Sequence, residues 1–326
     1  MRSRVMVVMR KTLSAGMLWI LAGSVSAQQT YPAKAIRFIV PYTTGGSSDV
    51  LARLVGQKLA EILGQTLVIE NRAGGNTVIG TDAVAKSPPD GYTILQTGLP
   101  HVIIPLLFPT PFDAIKDFAA VATVVSTEYV LVLHPSLPAN NLQEFIALAR
   151  TKPGQLNYAS SGSGGVQHLA GELFSMLAGV KLQHIPYKGG AQVVTDLMGG
   201  QVQLAFTNPA NVISYLKSGR LKAIAIGGAN RLPALPQVPT FMEAGLPAYD
   251  AKSWQGILAP AGTPRAIIDR LSTEIGKILA MPDIREKIIS QGVDPFISTP
   301  EQFTTLMRAD MAKYGKIIKL ANIKME

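Results

Sequence analysis

The 326-residue chain is 47% hydrophobic and 16% charged, a balance that excludes disorder and provides for one large core or two ordinary ones. It contains no cysteine, which excludes a disulfide framework, a cysteine-held metal and a cysteine nucleophile, although an exported chain of this length folds without such staples. Net charge is +9; setting aside the four cations among the first eleven residues leaves 26 Lys and Arg against 21 acids, or +5, scattered rather than gathered on the single face or stripe that nucleic acid would require.

Arg2, Arg4, Arg10 and Lys11 precede an apolar stretch from Thr12 to Gly23, and Val25 and Ala27 then stand at signal-peptidase spacing. This layout predicts a secretory leader, residues 1–27, cleaved after Ala27. The apolar stretch falls short of the roughly 20 residues a membrane span needs. Ile36 to Val40 then reads as a buried strand, Pro41 to Gly46 as a turn, and Ser47 onward as a helix with Val50, Leu51, Leu54, Leu59, Ile62 and Leu63 at helical spacing, closed by Gly64. A strand at Leu67–Glu70, a helix near Ile79–Lys86 and a strand at Tyr92–Leu95 follow.

A second set of alternating units is expected from Tyr129. It has strands at Val130–Leu133, Leu156–Ser160, Leu182–Ile185, Gln201–Phe206 and Leu221–Ile226, and helices at Leu142–Arg150, Val166–Leu177 and Ala191–Met198. Four prolines and one glycine between Leu232 and Pro247 mark a crossing segment. Beyond it a strand at Trp254–Leu258 and helices at Pro264–Ala280 and Pro300–Ile318 are predicted. The pattern is α/β with two lobes: residues 28–127 and 241–326 in lobe 1, and residues 128–240 in lobe 2.

Three segments share one layout, an apolar strand, a short Gly/Ser/Thr loop and a helix start: Val40 to Asp49, Ser160 to Val166, and Pro186 to Gly190. Glycine permits close backbone approach. First-turn N–H groups lack helical partners and carry partial positive charge, and Ser and Thr add neutral donors. Such loops at strand carboxyl ends can hold a carboxylate without a fixed cation. The phosphate-loop motif ending in Gly-Lys-Ser/Thr is absent, and Gln167 replaces the third glycine of a dinucleotide fingerprint begun by Gly162-Ser163-Gly164. His101, His134, His168 and His184 lack zinc-site spacing, and no Gly-x-Ser-x-Gly elbow occurs. No catalytic residue, metal or cofactor is expected.

The loops and several other motifs stand in a familiar order: Tyr31-Pro32-Ala33-Lys34-Ala35-Ile36, Pro41-Tyr42 through Gly45-Gly46 to Asp49, Glu70-Asn71-Arg72, Pro89-Asp90-Gly91-Tyr92-Thr93, Lys152-Pro153-Gly154, His184 to Gly189, Gly199-Gly200-Gln201, and Pro260 to Pro264. The chain resembles the Bug family of periplasmic receptors, the solute-binding components of tripartite tricarboxylate transporters. The resemblance implies a two-lobed, type II-like periplasmic binding fold, each lobe a mixed sheet flanked by helices, with a small carboxylated ligand in the cleft between lobes. It also implies a monomer in the periplasm that meets membrane transporter subunits transiently, with no nucleic-acid partner and no enzymatic activity. A sensory partner of a membrane kinase and a periplasmic hydrolase are the alternatives. Ligand-binding positions implied on the first lobe are Tyr42, Thr43, Thr44, Gly45, Gly46 and Ser47, with Asp49 in support. On the second they are Ser160, Ser163, Gly164, Gly165 and His168, with Tyr187, Thr207 and Asn208 nearby. The sequence departs from the family pattern at Ala73 to Val78, at Gly165 and at Thr207, the side expected to read the variable end of the ligand.

Overall fold

The computed structural model describes residues 31–187 and 189–323, so the expected leader and Lys188 lie outside the described residues. Strand β1 (Ile36–Val40) has its three last side chains fully covered, and Gly46 then passes the chain into α1 (Ser47–Leu63). Leu51, Val55, Leu59 and Leu63 form that helix's buried stripe, and Gly64, left-handed at φ +66°, terminates it. The chain continues through β2 (Leu67–Asn71), α2 (Val78–Ala85) and β3 (Thr93–Gly98), with β1 parallel to both β2 and β3. Helix α3 (Pro100–Leu107) and the long strand β4 (Phe118–Glu128) complete the first pass.

The chain then enters a second sheet. It comprises β5 (Val130–Leu133), α4 (Leu142–Thr151), β6 (Asn157–Ser160), α5 (Val166–Ala178), β7 (Gln183–Pro186), α6 (Gly190–Met198) and β8 (Leu204–Thr207). A 3-10 turn at Pro209–Asn211, α7 (Ile213–Lys217) and β9 (Lys222–Ile226) close it. The return gives β10 (Lys252–Pro260), α8 (Arg265–Ala280), α9 (Pro282–Ser290), the short β11 (Asp294–Pro295) and α10 (Pro300–Leu320). The first sheet has the order β11-β4-β10-β3-β1-β2 and the second β7-β6-β8-β5-β9. Both are mixed: β10 is antiparallel to β3 and β4, and β5 is antiparallel to β8 and β9, while the other pairs among β1–β3 and β6–β8 are parallel.

Aromatic side chains anchor both halves. Trp254 meets Phe303 edge-on at 4.9 Å between ring centroids, and its indole N–H donates to Asp310 Oδ2 at 2.9 Å. In the second half Phe174 lies beside Phe206, Phe241 and Tyr249, and the last two rings are 3.9 Å apart. The returning segment therefore packs first on the second sheet. Helix α5 lies so close on β6 that a Cβ at Gly171 would come within 2.3 Å of the Tyr158 ring.

Helix α3, β4, α7, α9 and β11 are additions to the elements expected from sequence. Pro100–Leu107 is short, apolar apart from His101, and carries Pro105 internally, a composition that does not favour a helix. Pro264 is the N-cap of α8 rather than its first helical residue. Pro300 does stand in the first turn of α10, where Thr299 and Gln302 form a reciprocal capping box.

Candidate functional site

Loops that leave the carboxyl ends of β1, β2, β3 and β6 converge on one cavity of about 410 Å³. Pro41, Tyr42 and Thr43 come from the β1–α1 loop, and Ala73, Gly74, Asn76 and Thr77 from the β2–α2 loop. Pro100, Ile103, Ile104, Leu107 and Phe108 belong to α3 and its end. Across from these the second sheet contributes Ser163, Gly164, Gly165 and Val166. None of these residues is charged.

The β1–α1 loop is held from behind. Asp49 is 1% exposed; its Oδ2 accepts from Gly45 N–H at 2.9 Å and from Arg53 Nε at 3.0 Å, and its Oδ1 accepts from Asn71 Nδ2 at 3.0 Å. The Arg53 hydrogen bond, helped by Gly45 and Asn71, keeps the Asp49 carboxyl below its ordinary range. Asn71 also donates to Tyr42 O at 3.1 Å, which ties the loop to the neighbouring strand. The negative charge is thus neutralised locally and does not repel an anion in the cavity. Burial pushes the Tyr42 phenol up to about 12, so it stays a neutral donor.

The β6–α5 loop is organised by neutral imidazoles. Gly164, at φ +71°, donates its N–H to His168 Nδ1 at 2.9 Å, and Ser161 N–H donates to Gln167 Oε1 at 2.8 Å. The His168 ring stacks on His184 with centroids 3.6 Å apart and planes 7° from parallel. Desolvation lowers His168 to about 4 and His184, which also feels His168, to about 3. Helix α5 starts at Gly165 with no side-chain cap, whereas α4 and α10 are capped by Asn141 and Thr299. Its first-turn N–H groups therefore have no capping side chain to satisfy them where the helix meets the cavity.

Ser160 and His184 are 2.6 Å apart and superficially resemble a nucleophile and base. Ser160 is fully buried and its hydroxyl donates to Gly162 O at 2.9 Å, so its proton and lone pairs serve the loop and are not presented to a substrate. Among the described residues no group of three or more His, Asp or Glu is placed to hold a metal ion.

Of the positions the resemblance implied, Tyr42, Thr43, Ser163, Gly164 and Gly165 line the cavity together. Asp49, Ser160 and His168 lie behind the loops, each fixing loop backbone. Thr44, Gly45, Gly46 and Ser47 continue the first loop outside the lining, and Tyr187 lies beyond β7, its N–H bonded to Ser160 O at 2.9 Å. Thr207 is buried at the end of β8, and Asn208 caps the 3-10 turn by accepting from Ala210 N–H at 2.8 Å. The β2–α2 loop, within the Ala73 to Val78 stretch where the sequence departs from the family pattern, joins the lining, and Gly74, Gly75, Asn76 and Thr77 all have positive φ. The apolar wall of α3 escaped sequence reasoning.

Residues 51–323 match the model described as "Tripartite tricarboxylate transporter family receptor". Protein BugT of Bordetella pertussis is 37% identical over 309 residues, covering 94% of each chain. The R. palustris protein Rpa4515, solved with adipate, is 33% identical with a TM-score of 0.74, covering 90% of this chain and 99% of that one. MatC from Rhodopseudomonas palustris, solved with malate, is 29% identical with a TM-score of 0.69, covering 88% of this chain and all (100%) of the other. The fold is the two-lobed α/β fold of periplasmic binding proteins.

Proposed function

We propose, from the premise that this chain belongs to the tripartite tricarboxylate transporter receptor family, that it captures a small organic carboxylate between its two sheets and delivers it to the membrane subunits of such a transporter. The observation that carries this reading is the uncharged donor set at the cavity: an uncapped helix start at Gly165, with the hydroxyls of Thr43 and Ser163 beside it. A helix start favours an anion, and bridging waters extend the reach of its N–H groups at little cost. The related proteins solved with adipate and with malate support a carboxylate as the class of ligand.

In this reading Tyr42, Thr43, Ser163, Gly164 and Gly165 touch the ligand. Asp49, Ser160 and His168 set the loops that present them. Lobe 1 is residues 28–127 and 241–326 and lobe 2 is residues 128–240. Closure of the lobes, a population shift driven by ligand, brings Thr44 to Ser47, Tyr187, Thr207 and Asn208 nearer the cavity. The mature protein begins after Ala27, works in the periplasm as a monomer, and turns over no substrate. No helix among the described residues is long and apolar enough to cross a membrane, in keeping with that placement.

Calorimetric titration of ligand-stripped protein with a bound acid and with its primary amide tests this directly. The acid binds and the amide does not, and Ser163→Ala weakens the acid about tenfold, the ~1.4 kcal/mol of one lost hydrogen bond to a charged group. Equal binding of acid and amide overturns the reading.

A further inference from the structure

The cavity has two chemically different sides, and the difference bears on which acid it takes. The donors lie on loops and a helix start: the side chains of Thr43, Asn76, Thr77 and Ser163, and the first-turn backbone N–H of Val166. Helix α3 supplies the other side with Pro100, Ile103, Ile104, Leu107 and Phe108, which offer no side-chain donor. Ile103 and Ile104 are themselves only 2% and 9% exposed, so they form a packed wall rather than mobile surface. The start of the wall is tied to β10 by Leu99 N–H bonded to Trp254 O at 3.0 Å.

Among the described residues, the arginines beside the β1–α1 and β2–α2 loops are already paired. Arg53 is paired with Asp49 at 3.0 Å, and Arg72 with Glu70 at 3.0 Å. A second carboxylate laid on α3 would lose its water and gain neither a counter-charge nor a donor, which disfavours it strongly. A methylene in the same place gains, each one strengthening binding roughly fourfold when fully buried.

Resting on the carboxylate reading above, we infer that the ligand is a monocarboxylate with an apolar alkyl or aryl body, its carboxylate at the Ser163–Gly165 loop and its body against Ile104, Leu107 and Phe108. The family's description speaks of tricarboxylates, so this assigns a narrower and less charged cargo to this chain's own residues.

The test is titration of the ligand-stripped full chain with chain-matched pairs of mono- and α,ω-dicarboxylates from four to eight carbons, with benzoate as an aryl probe. The expected result is at least tenfold tighter binding of each monoacid than of its diacid partner, with affinity rising along the series. A Leu107→Arg protein, checked for native folding by circular dichroism, narrows or inverts that preference; Leu107→Gln, which weakens the monoacids alone, serves if the arginine does not fold. Diacids binding as tightly as monoacids, with the Leu107 variants unchanged, overturns this inference and leaves the carboxylate reading standing. If no acid in the set binds to folded, empty protein, the carboxylate reading fails and this inference with it.

Discussion

Thr77 holds φ at +76° beside Asn76 at +51°, and both line the cavity. A β-branched residue in the left-handed region is strained by about 1–2 kcal/mol, and strain of this kind persists where surrounding structure fixes it for a purpose. Thr77→Gly is expected to stabilise the protein by about 0.5–1 kcal/mol, the relieved strain less the added chain entropy of glycine. A urea midpoint raised at constant slope would report it. The histidines make a second test at this scale. Burial lowers His101 to about 4, as desolvation lowers His168 to about 4 and His184 to about 3, against about 6.5 unfolded. Each takes up its proton more readily when unfolded, so the stability they contribute is complete above about pH 6.5 and is lost as pH falls toward about 4. The half-buried Glu128 and Glu172, raised by desolvation, act in the opposite sense. The informative comparison is therefore between variants: stability measured at pH 7.5 and 5 declines less in His184→Gln than in the parent.

At the scale of elements, α5 connects core and site. Its Gly171 face lies against Tyr158 of β6, and its start carries Gly164 and Gly165 into the cavity. Gly171→Ala is expected to cost about 1–3 kcal/mol by overpacking, and thermal melting would register it. This helix, like α1, was legible because its apolar residues recur at helical spacing between Gly-rich turns, and the strands other than β4 and β11 because they are short apolar runs between turns. The loops of the site were legible for the same reason, since a glycine- and hydroxyl-rich helix start has a visible composition. Helix α3 was not: a short, almost wholly apolar segment with an internal proline reads as no helix, and its role as a wall depends on which loops fold over it. Asp49 shows a subtler gap. Its place in the first helical turn was visible, and Gly45 and Arg53 are local partners, but the bond from Asn71 depends on β2 lying beside β1.

The whole molecule carries its site between two sheets, joined by a one-residue crossing at Tyr129 and a long return over residues 227–251. Tyr129 links β4 to β5, and Gly227 N–H returns to Tyr129 O at 2.8 Å, so the two crossings run side by side. A Cβ on Gly227 would come within 3.1 Å of Tyr129 O and 3.3 Å of Ala251 O, which leaves little room for a larger residue there. A ligand that binds only the native state at about 100 times its Kd should add ~2.7 kcal/mol of stability, read as a rise in melting temperature that scales with the logarithm of concentration.

The central claim is that a carboxylate is held at the start of α5 by uncharged donors, with the rest of the ligand against α3. A crystal structure with bound acid tests this most directly. The account predicts one carboxylate at the Ser163–Gly165 loop, bonded to N–H and hydroxyl groups directly or through one water, its apolar body on Ile104, Leu107 and Phe108. No Lys or Arg nitrogen should lie within about 4 Å of that carboxylate, the limit of an ion pair. A carboxylate paired with a lysine or arginine, or a ligand seated outside this cavity, would contradict it.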